Sequence, residues 1–99
     1  MARHFHTELK ELKDGLLSMA GMAERMIDLT RRALLERNSA LTDEVNILDE
    51  KLDETELRLD QLCIDLLALR APSAADLRPI ASAIKIIPEV ERIGHHCGN

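Results

Sequence analysis

The chain reads as an all-α protein, an antiparallel up-down-up bundle of three helices. Apolar residues recur at alternating spacings of three and four over two long segments, the seam of a helix packed at a shallow angle on others. Only four glycines and three prolines occur in 99 residues, little material for the many turns of a β sandwich. The periodic pattern breaks near Asn38 and again near Pro72, which divides the chain into three helical stretches. Apolar content of 45% supplies a core, but Phe5 is the one aromatic residue, so aliphatic side chains must fill it.

The first helix, expected over about 4–37, carries its seam on Phe5, Leu9, Leu12, Leu16, Met19, Ala23, Met26, Thr30 and Ala33. The second, over about 40–70, carries Leu41, Val45, Leu48, Leu52, Thr55, Leu59, Leu62, Leu66 and Leu69. Leu17, Ile27 and Leu34 widen the first stripe, and Ile47, Cys63 and Leu67 the second, so each helix is expected to face two partners. Asn38 and Ser39 offer capping oxygens to the second helix. That helix should stop at Arg70-Ala71-Pro72, because the residue before a proline resists the α region. Ser73 followed by Asp76 reads as an N-cap with an acid in the first turn of the third helix, over about 74–97. There Ile80, Ile84 and Ile87 form one stripe, and Ala83, Ile86, Val90, Ile93 and Cys97 another. Pro79 and Pro88 fall inside it; each removes a backbone donor at a cost of roughly 3 kcal/mol, and Pro88 is expected to kink the helix. The whole of residues 1–99 is taken as one domain.

Charge and composition exclude several classes. A net charge of −5 argues against a nucleic-acid binder, which would carry a basic face. No apolar run approaches the ~20 residues of a membrane span, so no membrane insertion is expected. Met1 to Asp14 is polar and charged, unlike a signal peptide. Cys63 and Cys97 are too few for a disulfide framework, and a cytoplasmic protein with free thiols is expected. There is no glycine-rich phosphate loop and no nucleophile–base pair. A di-iron carboxylate enzyme would need acid-x-x-His motifs on two helices; Glu91 and His95 stand at a different spacing, once. The chain is therefore not expected to be an enzyme.

Acids concentrate in the second helix. Between Asp43 and Asp65 nine acids face two bases, Lys51 and Arg58, a local net of −7. Asp49 with Asp53, Glu50 with Glu54, and Glu56 with Asp60 are like-charge pairs four apart, each costing an isolated helix roughly 0.2–0.5 kcal/mol. Solvation relieves that repulsion; a bound cation converts it into coordination.

Several segments resemble the PhoU family of bacterial phosphate-transport regulators. They are Leu67-Ala68-Leu69-Arg70-Ala71-Pro72, Ala75-Asp76-Leu77-Arg78, and the closing Glu89–Asn99 stretch EVERIGHHCGN, with RHFHTELKELK at the start. The family reads LALQQP, SDLR and DLERIGDHAxN at corresponding places. The resemblance implies a three-helix repeat of a kind that family members usually contain twice, and this chain is expected to hold the first copy. The family's acid-x-x-x-Asp motifs are associated with multinuclear metal binding. On that resemblance Asp49 and Asp53 match the second-helix motif, and Glu91 and His95 match the third-helix motif, with His95 where the family has Asp. Residues four apart stack on one helix face with Cβ atoms about 5–6 Å apart, so each pair can share an ion. An antiparallel arrangement brings the two pairs to compatible levels. Four carboxylates would suit Mg, Ca or Mn; the imidazole of His95 shifts preference toward Zn, Fe or Ni, so Zn or Fe is expected ahead of Mg or Mn. Such affinity is expected to fall as pH drops through about 6. Adjacent helical residues point about 100° apart, so His96 and Cys97 cannot join His95 on one ion; Cys97 reads as a core residue, and His4 and His6 as a frayed start.

The function implied is regulation of phosphate uptake and phosphate-responsive signalling, through contact with a phosphate ABC transporter and a sensor histidine kinase. The alternatives are a metal-free helical oligomerisation or adaptor module, or a phosphate-permease accessory protein of the wider family. Apolar residues expected on the flanks, Met22, Leu29 and Ile86 among them, point to a homodimer that imitates the two-repeat arrangement.

Overall fold

A computed structural model describes residues 2–69 and 74–98, with side chains over 5–68 and 77–97. The described residues form three α-helices: α1 (Ala2–Glu36), α2 (Ser39–Leu69) and α3 (Ala74–Gly98). Their ends differ from the expected ones by a residue or two. The Ser73 cap with Asp76, and the Arg70–Pro72 stop, lie outside the residues whose side chains are described. The bundle is 52 Å long and about 17 Å across, the length of α1's 35 residues at about 1.5 Å each.

The α1–α2 turn shows how two residues reverse the chain. Arg37 adopts a left-handed φ of 51°, and the Asn38 amide reaches back to the Ala33 carbonyl at 3.3 Å. This is a Schellman closure with arginine where glycine is usual. Asn38 then caps α2, its Oδ1 accepting from the Ala40 amide at 3.0 Å.

Cross-helix contacts give the directions. Arg25 pairs with Glu44 at 3.0 Å, while Gly15, earlier on α1, packs against Leu59, later on α2; the two helices are antiparallel. Asp49 meets His95 and Leu52 meets Gly94, pairs about equally far from the α2–α3 connection on either side, so α3 returns along α2.

Leu12, Met19, Met26 and Leu29 of α1, Leu52, Leu59 and Leu66 of α2, and Ile80 and Ile87 of α3 are fully buried. Thr55 occupies the second seam by turning its hydroxyl onto its own helix, donating to the Lys51 carbonyl at 2.8 Å. Four expectations are corrected. Leu62 is half-buried and packs against the core from its edge. Leu29 is fully buried, not a free flank. Leu17, Ile27, Leu34, Ile47 and Leu67 are exposed; each is displaced by about 100° from a seam residue beside it, far enough to pass the neighbouring helix. In α3 the two stripes collapse into one, through Ile80, Ala83, Ile87, Val90, Gly94 and Cys97, leaving Ile84, Ile86 and Ile93 exposed. Pro79 and Pro88 both lie inside α3, which continues as one helix across them. The carbonyl deprived of a partner by Pro88 belongs to exposed Ile84, where water can satisfy it.

Candidate metal centre

All four residues singled out by sequence converge. Asp49 and Asp53 lie one turn apart on the face of α2 that meets α3; Glu91 and His95 lie one turn apart on the facing surface of α3. His95 Nε2 is 2.9 Å from Glu91 Oε1, within hydrogen-bond distance. Its Nδ1 is 3.4 Å from Asp49 Oδ1, and Nε2 is 3.7 Å from Asp53 Oδ1. The Glu91 and Asp49 side chains retain only 20% and 26% of their exposure, while His95 and Asp53 keep nearly half. The cluster is thus a shelf, walled by protein on one side and open on the other.

The electrostatics are those of an anionic cup. Asp49 Oδ1, Asp53 Oδ1 and Glu91 Oε2 are buried without a hydrogen-bond partner. The first two stand near the imidazole, Asp49 Oδ1 without the alignment of a hydrogen bond and Asp53 Oδ1 too far for one. Buried carboxylate oxygens left so are costly. The bond to Glu91, together with the charges of Asp49, Asp53 and Glu91, raises the His95 pKa above its ordinary 6.5, against a smaller opposing effect of burial. When protonated, His95 presents a positive charge to Asp49 Oδ1 and Asp53 Oδ1.

The same oxygens suit a divalent ion. Asp49, Asp53 and His95 each offer one donor atom within 4.8 Å of the others. Donors sharing one ion through bonds of about 2.0–2.2 Å stand at most about 4.4 Å apart, and closer in a tetrahedral set, so the side chains would draw inward around an ion. Two carboxylates, an imidazole and Glu91 beside them form a mixed oxygen–nitrogen set, fitting Zn or Fe ahead of Mn by donor chemistry. A bound ion would hold α2 to α3 and present open positions toward solvent. Beside the cup lies a hollow of about 360 Å³ lined by Glu56, Pro88, Glu91, Arg92, His95 and His96.

Other singled-out residues lie elsewhere. Cys97 is half-buried against the core, and Cys63 is buried with its pKa raised by burial and then by Asp60. His6 is exposed, edge-on to Phe5; the His4 side chain is outside the described residues. Arg92 pairs with Glu89 of its own helix at 3.4 Å. Two residues escaped the sequence argument: Glu56, half-buried at the hollow, and Gly94, inside the signature stretch. Gly94's signal was its place on the inward stripe, one turn after Val90.

The family follows from the sequence carried by this scaffold. A profile of the PhoU domain matches residues 16–99. The chain belongs to the PhoU family. Among relatives, it is 37% identical over 94 residues to a phosphate-specific transport system accessory protein PhoU homolog of Pseudomonas putida, covering 95% of this chain and 37% of that protein. Likeness to a homolog of the same description from Deinococcus radiodurans is 33% over 96 residues, 97% of this chain and 45% of that one. The accessory protein PhoU of Serratia marcescens is 36% identical over 90 residues, 91% of this chain and 37% of its own. The chain thus spans well under half the length of these PhoU relatives. No solved structure matches it.

Proposed function

We propose that this chain is a regulatory module of phosphate uptake, acting by protein contact, with a divalent transition ion held between α2 and α3. Membership of the PhoU family supports the first part, since the relatives are named as accessory proteins of a phosphate-specific transport system. The observation that carries the second is the meeting of Asp49, Asp53, Glu91 and His95, with three buried carboxylate oxygens unpartnered. The ion works as a fastener and as a bridge. It fixes the spacing of two helices, and its open side accepts a donor from a partner. The partners in this reading are a phosphate ABC transporter and a sensor histidine kinase, and the location is cytoplasmic. None of the described helices is long and apolar enough to cross a membrane, so the transporter is met at its soluble face. Catalysis forms no part of the reading.

Calorimetric titration of metal-free protein with Zn or Fe is the direct test, followed by capture of the transporter and the kinase's soluble region with and without chelator. Heat of binding, and capture that chelator abolishes, are expected. Heat no larger than dilution would leave the cluster as a solvated acidic face and remove the ion from the mechanism.

Self-association is a second reading favoured by a separate observation. Leu17, Leu34, Leu35 and Leu57 are more than two-thirds exposed, and they add apolar area to the surface. A homodimer would cover part of it. Sedimentation equilibrium should show dimer at micromolar concentration, and monomer throughout that range would refute it.

A further inference from the structure

Gly94 lies on the inward stripe of α3 and is buried. A Cβ placed there would run into the Cδ2 methyl of Leu52 and sit 3.5 Å from Met26 Sδ. Leu52 and Met26 are themselves fully buried, so neither has solvent to retreat into. At this level α3 approaches both other helices through bare backbone. Leu52 lies between Asp49 and Asp53 on α2, as Gly94 lies between Glu91 and His95 on α3. The close approach and the cluster are one crossing.

The geometry points to Gly94 as the positioning residue of the centre: the missing side chain lets α3 come near enough for Glu91 and His95 to share an ion with Asp49 and Asp53. This rests on the metal reading above. A methyl group at 94 must push Leu52 or the whole of α3 aside, by a distance comparable to a C–C bond (~1.5 Å). Metal–ligand distances hold to about ±0.2 Å, and the donors here already need an inward movement to share an ion.

Gly15 supplies the control. It too is buried, and a Cβ there would strike the Leu59 methyl. But it belongs to the α1–α2 crossing, away from the four ligands. Alanine raises helix propensity equally at either position, so that gain cancels in the comparison.

The experiment is Zn titration calorimetry on the full chain and on Gly94→Ala, Gly15→Ala and Gly94→Ala with Leu52→Val, alongside melting temperatures. Gly94→Ala should weaken Zn binding by about 10–100-fold, the range for changes that disturb a ligand's support. Gly15→Ala should keep the natural affinity while its melting temperature moves comparably. Shortening Leu52 removes the obstructing methyl and should restore binding to the Gly94→Ala chain. That double variant also decides the matter if Gly94→Ala alone fails to fold: folded but weak in Zn, it overturns the steric role. Natural affinity in Gly94→Ala, or equal losses in the two glycine variants, overturns the positioning role and leaves the centre standing. Absence of Zn binding by the natural chain removes both together.

Discussion

Helix α2 carries two faces of similar formal chemistry and different consequence. Its inner face sets Asp49 and Asp53 against α3, on either side of the buried Leu52. Its outer face sets Glu50 and Glu54 at the same spacing, with Leu57, Asp60 and Ile64 further along, all exposed. Both faces hold like-charge pairs and both hold leucines. Of these two pairs, among the described residues, only Asp49 and Asp53 meet groups from another helix, and only the inner leucines leave water. A motif of two acids four apart is therefore not itself a site. It becomes a candidate for one where the opposite helix supplies a second pair and where the backbones come close.

The largest contrast between the faces should be in stability. Leu59→Ala, within the core, should cost ~2–5 kcal/mol, while Leu57→Ala should stay within about 0.5 kcal/mol. Chemical denaturation reads both, and similar costs would erase the distinction of faces. The next contrast is in metal affinity. Asp53→Asn should weaken Zn or Fe binding by at least about tenfold, roughly 1.4 kcal/mol, with Asp60→Asn unchanged in calorimetric titration. Equal losses would mean that the acids act as a diffuse field and not as ligands.

The smallest contrast is in pH dependence without metal. The His95 pKa is raised on folding, so its protonation favours the folded state. That contribution is fully present below the unfolded value of about 6.5 and is lost as pH rises through the higher folded value. The melting temperature of metal-free protein should therefore drop slightly across that window, and His95→Gln should remove the drop. Proton and ion compete for the imidazole, so metal affinity should fall with decreasing pH beginning above 6.5, higher than the value near 6 expected from sequence. A His95→Gln chain with an unchanged pH profile would place the titration elsewhere.

Much of this arrangement was legible in the chain. The three-and-four periodicity identified Leu52, Leu59 and Leu66 because a seam in register must bury its residues. The resemblance to the family's acid-x-x-x-Asp motif, matched once on α2 by Asp49 and Asp53 and once on α3 by Glu91 and His95, pointed to all four residues that meet there. What escaped was lateral. The pattern overstated how wide each stripe would be, as exposed Leu17 and Leu34 show. Crossing angle and spacing decide whether a residue beside the seam still reaches a neighbour, and neither is written in the period. Gly94's place on the stripe was legible but its close contact was not: a missing side chain has meaning only once the approaching residue is known. His95 was legible as a departure from the family pattern, but its raised pKa needed three carboxylates placed around it by two helices.

The centre is divided by the α2–α3 connection, with two of its residues before it and two after. An ion bound there closes a ring of roughly forty residues through that connection, and such clips stabilise most when the loop they close is long. It is a cross-link made of exchangeable bonds. A chain cut between Leu69 and Ala74 would still hold α3 against α2 while the ion stayed, and would lose that tie when a chelator took it. The covalent path and the metal path between these helices would then be alternatives, one permanent and one set by how much free ion surrounds the protein.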